Sequence, residues 1–183
     1  MKKPELLAPA GSFEKAKIAF LYGADAVYCG TSSLSLRTRA EMNDKDLAET
    51  IKYAHSIGKK VYTAINIYAW DETYEEIKNQ ARMLNKLKVD GIIVADGGVV
   101  EVIREYAPDI DIHISTQANT VSYHSAKFWY KNGAKRVILG REMNRSPYNL
   151  RKSFISNLSN SLLRESSINS SRFFLSLFFW TKG

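Results

Sequence analysis

The side chains best suited to chemistry in this sequence fall just after short β-rich runs, where polar groups from different strands can converge. Pro9, Gly11 and Ser12 follow the first run, Cys29, Gly30 and Thr31 the second, Asn66 the third and Asp96 the fourth. Ser115-Thr116-Gln117-Ala118-Asn119 follows the fifth, and Gly140-Arg141-Glu142 the sixth. Ser115, Gln117 and Asn119, like Asn66, offer donors and acceptors without fixed charge. That suits orienting a carbonyl, a sugar or a nucleobase edge, and it equally suits an ordinary turn. Asp96 could serve as a base or a metal ligand, but ahead of Gly97-Gly98 it also reads as a helix N-cap. Arg37 and Arg39, two apart in the loop after the second run, could clamp an anionic group if that loop is extended, or stand solvated. Arg141 and Glu142 add one charge of each sign to the candidate substrate-binding set.

Other reactive types carry less. His113 alternates with Ile112 and Ile114, so it faces the other side of its strand and reads as a satisfied core histidine rather than a base. His55 and His124 fall on helices without metal-binding spacing. Cys29 has no base beside it and reads as a small buried thiol. No nucleophile, base and orienting group come together as a set, so no catalytic residue and no metal site are assigned.

The elements that position these residues alternate. Strands are expected over 5–8, 26–29, 60–66, 91–95, 111–115 and 136–139, with starts some 20 to 34 residues apart. Between them lie helical patterns from Ser12 to about Tyr22, from Asn43 or Asp44 to about Ile57, from Asp71 to about Leu87, from Gly98 to Tyr106 and from Ser122 to Lys131. Polar caps open most of them, and Gly23, Gly58 and Gly133 stand beyond three ends. Such spacing fits βαβ crossovers in a parallel sheet. A dinucleotide-binding sheet would want GxGxxG after its first strand, and Ala8-Pro9-Ala10-Gly11-Ser12 lacks it. A partial (β/α)8-type barrel of about five βα units plus a sixth strand fits better, because its sites form at the C-terminal ends of strands.

The 183 residues fall short of the roughly 250 of a closed eight-unit barrel. The formal charge of +7 is unevenly spread, since residues 144–183 hold six basic side chains against Glu165 alone. Residues 1–143 are near neutral, so composition supports no dedicated phosphate-binding face. With one cysteine, the chain can build neither an internal disulfide nor the ligand set of an iron–sulfur cluster. The start lacks an apolar stretch of signal-peptide length and no run suits a membrane span, which makes the cytoplasm the expected compartment. After Met143 the writing changes: the last 40 residues contain no Ala, Val or Asp but ten Ser, and end in a Phe-rich run from Phe173 to Trp180. The division expected is 1–143 as barrel and 144–183 as a Ser/Phe-rich tail, either a linker with an interaction segment or the product of out-of-frame translation.

Four segments together resemble the peptidase U-32 family, the collagenase-like peptidases. They are Glu5-Leu-Leu-Ala-Pro-Ala-Gly-Ser-Phe-Glu14, Tyr22-Gly-Ala-Asp-Ala-Val-Tyr28 with Ser35-Leu-Arg-Thr-Arg-Ala40, Ile112-His-Ile-Ser-Thr-Gln-Ala-Asn119 and Val137-Ile-Leu-Gly-Arg-Glu142. The resemblance implies a barrel-like catalytic domain acting either in peptide hydrolysis or in oxygen-independent hydroxylation of tRNA, ribosomal RNA or the ubiquinone ring. In hydroxylase-type members it implies an iron–sulfur cluster held by four cysteines. The family's Val-His-Gly segment and its cysteines come after the Arg-Glu that matches Arg141-Glu142. This sequence has neither, so no cofactor is expected in this chain, and the expectation is an inactive part of an enzyme with a peptide or RNA substrate. The alternative is a folded interaction module, with Phe173 to Trp180 covering an open sheet edge or docking a partner.

Overall fold

The computed structural model describes residues 5–31, 34–35, 41–139 and 174–175. Its strands are β1 (Leu7–Pro9), β2 (Ala26–Thr31), β3 (Glu41–Met42), β4 (Lys60–Ile65), β5 (Gly91–Val94), β6 (Asp111–Ile114), β7 (Ala134–Val137) and β8 (Phe174–Leu175). The helices are α1 (Phe13–Leu21), α2 (Asp44–Ser56), α3 (Tyr74–Leu87), α4 (Gly97–Tyr106) and α5 (Tyr123–Lys131). All pairings are parallel, in the order β1-β2-β4-β5-β6-β7-β8, with β3 beside β2. Five βα units and a sixth principal strand, β7, are therefore present as the sequence implies. The two-residue β3 was not anticipated, because a segment that short shows no periodicity. β8 places Phe174 and Leu175 in register with Arg136 and Val137.

Local chemistry explains the helix starts. The Ser12 hydroxyl accepts from the Lys15 amide at 3.3 Å, Asn43 Oδ1 from Asp46 at 2.9 Å, and the Ser122 hydroxyl from Ser125 at 3.2 Å. Each satisfies an amide that the helix itself leaves without a partner. At the other ends, Gly23 and Gly58 take φ of +94° and +67°, a region where a Cβ is strained. Strand residues alternate between two faces. Val27, Cys29, Val61, Ile65, Ile92, Val94, Ile112 and Ile114 pack in one large core with the helices. Ala26, Tyr62, Ala64, Ile93 and Ile138 form a second, smaller cluster, joined by Leu7 and Tyr28.

That second face is concave. A carboxylate on the segment entering β1 meets an arginine of β7: Arg136 Nη1 donates to Glu5 Oε1 at 2.7 Å. Five inter-strand steps separate β1 from β7 along the sheet, about 24 Å if it were flat. No glutamate and arginine pair spans that distance, so the strands curl as they do in a barrel. Tyr62 from β4 completes the tie, donating its hydroxyl to Glu5 at 3.0 and 3.2 Å while the Arg136 guanidinium stacks 5.1 Å from its ring centroid.

Candidate functional site

The polar residues after β4 and β6 meet at the C-terminal rim of the sheet. Asn66 directly follows β4, is 6% exposed, and donates its backbone amide to Leu34 O at 3.0 Å. Its side-chain Nδ2 donates to Gln117 Oε1, which joins the ends of two strands that are not neighbours in the sheet. Ser115 directly follows β6, and its amide donates to Val94 O at 2.7 Å, extending the ladder by one rung. The Ser115 hydroxyl accepts from the Gln117 amide at 3.3 Å and also lies 3.4 Å from Gln117 Oε1. Gln117 is thus held at both ends of its residue, although its side chain lies at the exposed surface. Asn119 closes this short turn at φ +50°, an uncommon conformation outside glycine that Asn tolerates best. Next to it, the Thr120 hydroxyl is buried without a hydrogen-bond partner among the described residues.

Of the candidates taken from the sequence, the fold brings Asn66, Ser115 and Gln117 into one hydrogen-bonded group, with Asn119 at its margin. Asp96 stands at the end of the intervening strand β5, occupied as a cap: Oδ1 accepts from the Gly98 and Val99 amides at 2.8 and 3.1 Å and from the Tyr74 hydroxyl at 3.3 Å. Tyr74 is pushed above the usual phenol range, first by desolvation and then by the Asp96 charge. Arg37, Arg39, Arg141 and Glu142 lie outside the described residues.

Two readings need adjustment. Cys29 is not at a strand end, because β2 continues to Thr31, and the thiol is fully buried with Sγ 3.8 Å from Tyr62 O. Burial pushes the thiol up to about 12, so it is no nucleophile at neutral pH. His113 is a core residue as expected, 4% exposed and packed edge-on to Tyr62 at 4.7 Å. It is not fully satisfied, since Nδ1 has no hydrogen-bond partner among the described residues. Burial, then the Arg136 charge, then that of Lys60 lower it to about 3, so the ring is neutral. Burial also raises Tyr62, and the pull of Arg136 does not offset it. For Arg136 burial acts downward, yet the Glu5 hydrogen bond and the Tyr62 and Glu5 charges hold it above the usual guanidinium value. This interior group lies toward the opposite end of the strands from the rim, the end that in a barrel serves stability rather than chemistry.

Two aromatic residues shortly after Asn66 in the chain are further candidates that sequence reasoning missed. In the segment after Asn66, Ile67 and Ala69 pack on the core while Tyr68 and Trp70 are 77% and 69% exposed. The alternation of apolar residues continues past the end of β4, which is the signal that could have drawn attention to them.

A parallel, curled βα sheet with uncharged amides at its C-terminal rim defines the fold as barrel-type, the class in which sites form at the C-terminal ends of the strands. A sequence profile of Peptidase family U32 matches residues 11–148, and the chain belongs to that family. It is 42% identical over 142 residues to tRNA hydroxylation protein P1 of Bacillus subtilis, covering 77% of this chain and 34% of that protein. It is 44% identical over 142 residues to tRNA hydroxylation protein P of Haemophilus influenzae, covering 77% and 31%. It is 36% identical over 140 residues to the 23S rRNA 5-hydroxycytidine C2501 synthase of Escherichia coli, covering 76% and 21%. The chain thus spans about a third or less of the length of these curated relatives. Among solved structures, a U32 peptidase superposes with a TM-score of 0.68 at 16% identity, covering 87% of this chain and 66% of the other. The 3-hexulose-6-phosphate synthase of Salmonella typhimurium superposes with a TM-score of 0.65 at 16% identity, covering 85% and 74%. These two likenesses support the fold.

Proposed function

We propose that this chain is the substrate-engaging part of an RNA-modifying U32 protein of the hydroxylation type, with the rim amides of Asn66 and Gln117 addressing the edge of a nucleobase. The observation that carries this reading is the Asn66–Gln117–Ser115 group: a donor and acceptor set with no fixed charge, prepositioned by two strand ends. Such a set matches the uncharged edge of a base, and RNA is read chiefly through bases that are splayed out of a helix. The relatives in B. subtilis, H. influenzae and E. coli, two tRNA hydroxylation proteins and a 23S rRNA 5-hydroxycytidine synthase, support the same substrate class.

The chain's own residues do not fit an iron–sulfur cluster. Its single cysteine is buried on the helix-facing side of β2, and no group of three or more His, Cys, Asp or Glu suited to a metal ion occurs among the described residues. The role proposed is therefore recognition without turnover by this chain. The test is equilibrium binding of purified tRNA to the full chain and to Asn66→Ala and Gln117→Ala. Loss of about 1 to 2 kcal/mol of binding free energy is expected for each, in the range of a hydrogen bond left unmade. Unchanged affinity in both would remove the rim from the account. Appearance of a hydroxylated nucleoside in tRNA incubated with the chain alone would show that turnover does not need other residues.

A second reading is supported by the pairing of β8 on β7. It makes the chain a folded interaction module whose Phe174–Leu175 strand covers the outer edge of the sheet. The edge hydrogen bonds of β7 would otherwise be open to pairing with another chain. Substituting Phe174 with proline would then increase self-association, as read by light scattering.

A further inference from the structure

The β4–α3 connection holds two large aromatic side chains in solvent, and the rim amides do not account for them. Tyr68 and Trp70 are 77% and 69% exposed, yet their neighbours Ile67 and Ala69 are packed against the core. The exposure is therefore not that of a loose loop. Two apolar residues pin the segment to the sheet, and the two between and after them are turned outward by the same alternation. The far end is fixed as well, because the Trp70 carbonyl accepts from the Thr73 amide at 2.9 Å and from the Thr73 hydroxyl at 2.7 Å. At the near end the segment begins at Asn66, which is bonded to Leu34 and to Gln117.

We propose that Tyr68 and Trp70 form a stacking platform for an unpaired base of a single-stranded RNA, next to the amides that meet its edge. This rests on the RNA reading given above and deepens it. Chemistry chooses the base over the phosphate. Asp71 and Glu72 follow Trp70 directly, and Asn66, Ser115 and Gln117 carry no charge, so among these described residues none attracts a phosphodiester. A flat, uncharged aromatic face beside an amide is what an extruded base requires: stacking from one side and hydrogen bonds on its edge. Stacking is tolerant of base identity, so the platform would supply affinity while Asn66 and Gln117 supply the choice.

The experiment is binding of a fluorescein-labelled single-stranded oligouridylate to the full chain, followed by anisotropy. The same strand annealed into a duplex and a proline-rich collagen-type peptide serve as comparisons. Tyr68→Ala and Trp70→Ala should each weaken binding of the single strand roughly 10-fold, within the range for one lost base stack. Trp70→Phe should retain most of the affinity, and the duplex should bind weakly to every form. Thermal unfolding should be the same for all variants, because the side chains removed are mostly in solvent. Full affinity for the single strand in both alanine variants would overturn the platform and leave the RNA reading standing. Failure of the unaltered chain to bind any RNA would overturn both. Loss of peptide binding in the alanine variants, with RNA affinity unchanged, would assign the aromatics to a peptide and overturn the proposal.

Discussion

At the scale of single residues, the interior group Glu5, Tyr62, Arg136 and His113 is where substitutions are costliest. Arg136 is 8% exposed at its side chain and Glu5 21%. Arg136→Met would strand a largely buried carboxylate, and a loss on the order of 3 kcal/mol is expected in chemical denaturation. The double variant Glu5→Gln with Arg136→Met should recover most of it, since neither charge then lacks a partner. His113 gives a pH signature. Its folded-state value of about 3 lies below the ordinary histidine value of 6.5, so the unfolded chain binds more protons between the two. Stability attributable to this residue is complete above about pH 6.5 and is lost as the pH falls toward 3, by at most about 1.4 kcal/mol per unit. His113→Phe should flatten that slope in urea titrations run from pH 7 to pH 4; an unaltered slope would mean that other groups carry it. Gly91 faces the same ring, and a Cβ there would stand 2.9 Å from His113 Cε1 and 3.1 Å from Asp111 O. Gly91→Ala should cost roughly 1–3 kcal/mol through overpacking.

At the scale of elements, caps and connections decide what was legible in advance. Helix starts at Ser12, Asn43, Asp96 and Ser122 could be read because a short polar side chain before an apolar period has one physical use, and all four accept the expected amides. Asp96→Ala should lower stability by about 1 kcal/mol, and Asp96→Asn by less, since an amide oxygen still caps. A far larger loss of RNA affinity than of stability in Asp96→Asn would show that its charge has a second role. The interior tie was not legible, because Glu5, Tyr62 and Arg136 lie 57 and 131 positions apart from first to second and first to third, and only the curl of the sheet brings them together. The convergence of Asn66 and Gln117 was anticipated only as a set of strand-end residues. Their direct bond depends on register between β4, β5 and β6, which periodicity does not specify. Tyr68 and Trp70 are not legible from periodicity, since a strand pattern that continues for four residues past the last ladder bond looks like noise in one dimension.

At the scale of the whole molecule, the described residues between 5 and 139 alternate strand and helix with one continuous core on the helix side, and the formal charge of this stretch is near neutral. Binding through amides and stacked aromatics predicts a shallow dependence on salt, because few counterions are released when few phosphates are neutralised. A steep slope would move the contact to basic side chains and away from the rim. The measurement that tests the central claim most directly is photo-crosslinking of tRNA carrying 4-thiouridine to the full chain, with the modified peptides mapped by mass spectrometry. The account predicts cross-links concentrated in residues 66–70 and 115–119. Cross-links confined to other surfaces, or efficient cross-linking that survives substitution of Asn66, Tyr68, Trp70 and Gln117 together, would contradict it.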